Sequence, residues 1–201
     1  MAGKDFNEYD IIQLRRICRG SDIRVKFDTE NTRDSFFRAT VDFILNVCIR
    51  AGRTITADHT HIDGEEVRHF LAGLSYNIKL QNYRAAILIN AAVAVKTRSC
   101  FLQAWALEVQ GKYLEALEEL SKISSILHTF PPDDGSPEME MVASGLRKNL
   151  KIEQRKHLLN LFHGVSNNAK IQRIASAALD LQRRRQIGFD HSNSNDKSQP
   201  L

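Results

Sequence analysis

Positively charged side chains are concentrated towards the C-terminal end of the sequence. Residues 146–190 hold ten Lys and Arg against three Asp and Glu, whereas residues 61–145 hold seven against eleven. Lys and Arg neutralise phosphates and release condensed counterions, so such a segment predicts binding to a nucleic acid backbone. We interpret all ten basic residues as a candidate RNA-binding set: Arg147, Lys148, Lys151, Arg155, Lys156, Lys170, Arg173, Arg183, Arg184 and Arg185.

Three of these cations follow one another at intervals of four residues. If a single helix covers about 138–163, Arg147, Lys151 and Arg155 form one stripe that follows a phosphate backbone. Only two aromatic rings of Phe, Tyr or Trp accompany the cations, so base stacking is not indicated and binding should be insensitive to sequence. The alternative is a solvated helix face, with the three consecutive arginines stabilising the negative end of a helix.

A second group of polar residues raises the question of a metal site. His59, His61, Asp63 and His69 lie close in sequence, but no two of these histidines have the i, i+4 spacing of helical zinc ligands, and no cysteine pair accompanies them. We therefore predict neither a metal nor a cofactor. Asp63 and Glu66 have instead the spacing of a capping box, which predicts a helix that begins there.

Enzyme signatures are absent from the 201 residues. We find no phosphate-binding loop, no dinucleotide-binding glycine motif and no nucleophile-elbow serine motif, and we expect a non-enzymatic protein. Cys18, Cys48 and Cys100 are odd in number and far apart, which favours small core residues in a reducing compartment, the cytoplasm or the nucleus. The apolar run 85–95 is about half of the roughly 20 residues that a bilayer requires, so no membrane span is predicted.

The central region contains the pattern Tyr-x-x-Ala twice. Tyr83 precedes Ala86 and Tyr113 precedes Ala116, and each pattern opens a helix that follows an apolar one. The second pattern, two residues after Gly111, resembles the middle of a tetratricopeptide repeat. The resemblance implies antiparallel helix pairs, with the Tyr ring in the groove and the small Ala allowing close approach.

The extent of this resemblance is limited to about residues 70–130. The two patterns lie 30 residues apart, rather than 34, and Gln81 stands where the first pattern would have its glycine. A three-helix hairpin of the microtubule-interacting-and-trafficking type is similar to the same degree. An ordinary pair of antiparallel helices with Tyr and Ala at a tight crossing is the alternative.

The hydrophobic pattern along the chain predicts an all-α fold, a bundle of about seven to eight helices. The clearest stripe is Phe37, Val41, Ile44 and Cys48, in a helix capped by Asn31 or Thr32. The other helices are predicted near 11–17, 63–78, 83–96, 99–109, 113–123, 138–163 and 167–187.

Prolines mark the predicted domain boundary. We expect a helical core domain at 1–130, a proline-rich linker at 131–137, a basic two-helix segment at 138–190 and a disordered tail at 191–201. A second basic group, made up of Arg15, Arg16, Arg19, Arg24 and Lys26, has Asp22 and Asp28 nearby and is interpreted as a mixed charged surface.

These features favour a soluble helical binding protein whose C-terminal basic helices bind RNA or another polyanion. The central helices would supply a face for a protein partner or for self-association. Small basic helical chains with polar tails are typical of the accessory and regulatory proteins of viruses, so a viral protein of this kind is one expectation. The alternative function is a protein–protein adaptor built from tetratricopeptide-like helical hairpins.

Overall fold

A computed structural model of the chain describes residues 6–52, 60–133 and 135–182. This part of the chain is all-α, as the sequence predicts, with one very short β-hairpin formed by β1 (His61–Ile62) and β2 (Glu65–Glu66). The predicted disordered tail, 191–201, lies outside the described residues. The helices are α1 (Glu8–Ser21), α2 (Glu30–Ala51), α3 (Val67–Asn77), α4 (Asn82–Val109), α5 (Tyr113–Thr129), α6 (Pro137–Asn149), α7 (Ile152–Val165) and α8 (Ala169–Ala178).

The centre of the bundle is α4, which packs against α2, α3, α5, α6 and α7. The sequence predicted two helices here, near 83–96 and 99–109. That prediction is wrong: no Gly or Pro breaks the segment, and Thr97 is fully buried within one helix of 28 residues. The hydroxyl group of Thr97 is therefore buried at a position that the sequence pattern predicts to be exposed.

This helix bears on the membrane prediction. Within the described residues, α4 is long and apolar enough to cross a bilayer by length and composition alone. The central helix of a globular bundle meets the same two criteria, and α4 is surrounded by five other helices. The absence of a membrane span therefore stays a prediction from the sequence.

The hydrophobic stripe of α2 is confirmed, since Phe37, Val41, Ile44 and Cys48 are all buried. The helix begins two or three residues earlier than predicted, because the Thr29 side chain accepts a hydrogen bond from the Thr32 backbone N–H. All three cysteines are buried, as expected of small core residues. Burial raises the pKa of the Cys100 thiol to about 11, so this thiol stays protonated at neutral pH.

The predicted capping box at the start of α3 is wrong. The cap is Glu66, whose carboxylate accepts hydrogen bonds from the backbone N–H groups of Arg68 and His69. Asp63 and Gly64 instead form the turn between β1 and β2, with φ of 52° and 76°. Positive φ at both central residues is what a two-residue hairpin of the type I′ geometry requires, and Asp-Gly favours it.

Beyond the prolines the described residues form three helices, α6, α7 and α8, rather than the two predicted. α5 ends at Thr129 and α6 begins at Pro137, a position where the missing N–H costs nothing. The new helices pack on α4 and α5, and their apolar residues belong to the same hydrophobic cluster as those of α2 and α3. For example, the rings of Phe101 in α4 and Phe162 in α7 lie 6.1 Å apart.

Candidate nucleic-acid interface

The predicted stripe of Arg147, Lys151 and Arg155 does not exist, because the helix that would carry it is broken. α6 ends at Asn149, and Leu150 turns into an extended conformation that buries its side chain in the core. α7 begins at Ile152, so Arg147 lies in the last turn of one helix and Arg155 in the first turn of another. Lys148 and Lys151 are both exposed at this α6–α7 corner.

Arg155 points inwards and has a structural role. Only 6% of it is exposed, and its Nη1 donates to the carbonyl oxygens of Leu179 at 2.6 Å and Asp180 at 3.2 Å. These carbonyls close the end of α8, where Asp180 has a left-handed conformation with φ of 54°. A guanidinium at the negative end of a helix dipole is stabilising. Arg155 is therefore withdrawn from the candidate RNA-binding set.

The other charges near the corner are only partly paired. Residues 146–182 hold seven Lys and Arg against two acids, Glu153 and Asp180. Asp180 contacts Arg147 at 3.3 Å as well as Arg155, and Glu153 pairs with Lys156 at 3.2 Å. The remaining cations are exposed and form no ion pair with another described residue; we call Lys148, Lys151, Lys170 and Arg173 the exposed basic group.

The exposed basic group occupies two places. Lys148 and Lys151 lie at the corner where α6 and α8 end and α7 begins, an arrangement that the Arg147–Asp180 contact fixes. Lys170 lies in the first turn of α8, about 15 Å from Asp180 at 1.5 Å per residue. The predicted Arg183, Arg184 and Arg185 lie outside the described residues, but they follow Gln182 directly in the chain.

A further cation at the corner was missed by the sequence analysis. Arg98 of α4 is exposed, and its guanidinium lies against Gly145 of α6. If residue 145 carried a Cβ atom, that atom would stand only 3.0 Å from Nε and Cζ of Arg98. Lys148 follows Gly145 by three residues, so it lies on the same side of α6. The only feature of the local sequence that points to this contact is Gly145 itself, because a glycine inside a helix lowers the stability of the helix by about 1 kcal/mol relative to Ala.

Lys151 occupies the N-cap of α7, a position where Ser, Thr, Asp or Asn is stabilising. Its backbone N–H donates to Gln154 Oε1 at 2.7 Å, which is one half of a capping box. A lysine side chain has no acceptor to complete the box, and its charge lies at the positive end of the helix dipole. The stability of α7 therefore does not account for a lysine here.

We expect Lys151→Ser to raise the free energy of unfolding by about 0.5–1 kcal/mol, because serine completes the capping box. Urea unfolding followed by circular dichroism measures the change. Lys156→Ser, which removes a neighbouring exposed lysine within the helix, is the matched control and should give no gain. An unchanged or lower stability of Lys151→Ser would show that the lysine stabilises α7 in another way.

The basic group near the N-terminus is a mixed charged surface, as predicted. Arg15 pairs with Glu65 at 2.6 Å, and Arg16 pairs with Asp63 at 2.6 Å, which ties α1 to the β-hairpin. The Arg16 guanidinium holds the pKa of the Asp63 carboxyl below its usual value. The Asp63 carboxylate is thus already paired with Arg16. Within the described part of the chain, no three potential metal ligands lie together. His59 lies outside the described residues.

Most of the expectations that follow from the tetratricopeptide resemblance are wrong. Because α4 is one continuous helix, the region holds a single hairpin of α4 and α5. Tyr83 and Tyr113 are 74% and 61% exposed, so neither ring fills a groove between helices. Of the two alanines, Ala116 is buried, whereas Ala86 is exposed.

Comparisons with known proteins leave the family of the chain open. No family description, no curated protein and no solved structure matches it. What the geometry provides is an eight-helix bundle over the described residues, with a cluster of exposed and unpaired cations at one corner.

Proposed function

We propose that this chain is a non-enzymatic helical protein that binds RNA or another polyanion through the α6–α7 corner, without sequence specificity. The observation that carries the proposal is the pair Lys148 and Lys151 of the exposed basic group, which lie exposed at this corner while the neighbouring carboxylates are already paired with other cations. Unpaired cations at one surface gain most from phosphates, because they replace condensed counterions without breaking an internal ion pair. Arg98 extends the same basic surface.

The position of Lys151 supports the proposal independently of the charge count. Places where a residue contradicts the local preference of its element are expected at functional sites. A lysine at the N-cap of α7 is such a residue, since serine or aspartate would stabilise the helix. The more stable Lys151→Ser variant should therefore bind RNA more weakly than the wild type.

The direct test reverses two charges at the corner. We expect Lys148→Glu/Lys151→Glu to weaken binding of a short single-stranded RNA about 10- to 30-fold near 0.1 M salt, and to lower the salt slope by about 0.7 for each phosphate that the variant no longer neutralises. Fluorescence anisotropy of labelled RNA at several salt concentrations measures both quantities. Arg155 is left unchanged, because its replacement would damage the fold.

The matched control reverses two exposed lysines elsewhere, Lys26→Glu/Lys79→Glu, with the same change in net charge. Lys79 precedes α4 at the end opposite the corner, and the first residue of that helix, Asn82, is about 24 Å from Arg98 along the helix axis. This control should bind RNA nearly as well as the wild type. Equal reductions in both double variants would indicate attraction to net charge alone, and no reduction in either would contradict the proposed interface.

The alternative function is a protein–protein adaptor or self-association through the central helices. It is favoured by large apolar side chains that stay exposed on α4 and α5, among them Val95, Val109 and Leu114. Association through these residues would depend little on salt. Sedimentation of the wild type and of Val95→Ser/Leu114→Ser distinguishes the alternatives, since only an apolar interface is disrupted in this variant.

A further inference from the structure

An open depression of about 280 Å³ lies between the C-terminal end of α4 and the N-terminal end of α7. It is lined by Trp105, Glu108, Val109, Glu153, Gln154 and His157. Trp105 is the only tryptophan in the chain, and it is partly exposed. The His157 ring meets the indole edge-on, with centroids 6.3 Å apart, and is held by a 2.9 Å hydrogen bond to Glu108. The aromatic wall is therefore fixed in place.

The depression adjoins Lys148 and Lys151 of the exposed basic group. Lys151 precedes Glu153 by two residues, and its backbone N–H is bound to the side chain of Gln154, one of the lining residues. A ligand whose anionic part lies on Lys148 and Lys151 therefore reaches the depression within one turn of α7. A nucleotide in a single strand has this form, since its unstacked base extends away from the phosphates.

The polar groups of the depression suit a base and exclude a phosphate. Glu153 is exposed, with 76% of its side chain accessible, and besides its contact with Lys156 its carboxylate can accept a hydrogen bond from an exocyclic amino group of adenine, cytosine or guanine. The oxygen of Gln154 is used by Lys151, which leaves its NH₂ group to donate to a base. The lining contains two carboxylates and no Lys or Arg to bind a phosphate, so the anionic backbone stays on the lysines.

We propose that this depression binds an unstacked nucleobase of a single-stranded RNA, with Trp105 as the stacking surface. The inference rests on the RNA binding proposed above and specifies its ligand as single-stranded rather than double-helical. It differs from the expectation drawn from the sequence, in which base stacking was not indicated. Trp105 lies more than forty residues before Lys151 in the chain, and only the packing of α4 against α7 brings it near.

The experiment uses the wild-type chain and its single tryptophan. Short strands of oligoadenylate, an abasic ribose-phosphate strand of equal charge and a blunt RNA duplex are titrated, with tryptophan fluorescence and anisotropy of a label recorded together. We expect oligoadenylate to quench the fluorescence and to bind about tenfold more tightly than the abasic strand. The abasic strand and the duplex should bind through their phosphates without quenching.

Variants of the stacking residue sharpen the test. Trp105→Phe should keep the preference for the strand with bases, and Trp105→Leu should lose it while still binding the abasic strand. Because Trp105 packs partly against the core, circular dichroism must show that Trp105→Leu is folded; the wild-type comparison stands without it.

Each outcome decides between the two proposals. Equal affinities for oligoadenylate and the abasic strand, without quenching, would overturn the base site and leave the RNA interface in place. Failure of every strand to bind would overturn the RNA interface itself. Quenching by an arginine-rich peptide, but not by RNA, would overturn the base site in favour of a peptide site.

Discussion

Phe162→Ala is expected to lower the free energy of unfolding of the whole described bundle by about 3–5 kcal/mol. Phe162 of α7 is fully buried, and its ring packs 6.1 Å from that of Phe101 in α4. Removing the ring leaves a cavity between helices that lie on opposite sides of the proline-rich connection. Because these helices share one hydrophobic cluster, the cavity should destabilise both sides together.

Urea unfolding of Phe162→Ala measures this effect when it is followed by two signals. Fluorescence of Trp105 reports on the contact between α4 and α7, and circular dichroism reports on all the helices; coincident transitions indicate a single cooperative unit. Ile152→Ala, an exposed apolar residue of the same helix, should change stability by no more than about 0.5 kcal/mol. Two separate transitions, with only one shifted, would support the independent segment at 138–190 that the sequence predicted.

Arg155→Met is expected to cost about 2–3 kcal/mol, because it leaves buried acceptors without a donor. The wild-type guanidinium donates to the carbonyl oxygens of Leu179 and Asp180 at the end of α8. Methionine replaces much of the aliphatic stem but offers no N–H group. The three helices α6, α7 and α8 meet at this point, so α8 should loosen first.

The matched control for this prediction is Lys156→Met, which removes the adjacent exposed lysine and should change stability by less than about 0.5 kcal/mol. Urea midpoints and slopes give the free energies. Folded Arg155→Met should keep its affinity for RNA, since Arg155 does not reach the surface. If its stability equals that of the wild type, the carbonyl oxygens must be satisfied by other groups.

Features of the fold that depend on local periodicity were predictable from the sequence. The spacing of Phe37, Val41 and Ile44 fixes the buried side of α2 whatever the helix packs against. The interruption predicted in α4 fails for a non-local reason: Thr97 is polar, yet the packing around the central helix buries it. The Asp63–Gly64 turn was predictable in principle, but the spacing to Glu66 indicated a cap instead.

The sequence predicts which charged residues the candidate site contains, but not how the fold arranges them. The surplus of cations is visible in the sequence, and Lys148 and Lys151 do lie exposed at one corner. What the sequence does not contain is the helix break at Leu150 or the end of α8, 24 residues after Arg155, which together turn that side chain inwards. Arg98 reaches the corner from α4 by tertiary packing alone.

The Asp180 carboxylate, described above as the partner of Arg147 and Arg155, acts as a counterion that is covalently attached to the protein. A lysine such as Lys148 that neutralises an RNA phosphate releases cations condensed on the RNA into bulk solvent, and their gain in translational entropy makes the affinity depend on salt. When Arg147 neutralises a phosphate, the Asp180 carboxylate cannot diffuse away and attracts a cation in its turn, which offsets the release. Arg147 therefore adds little to the salt dependence of binding, even though it lies beside the exposed lysines of the corner.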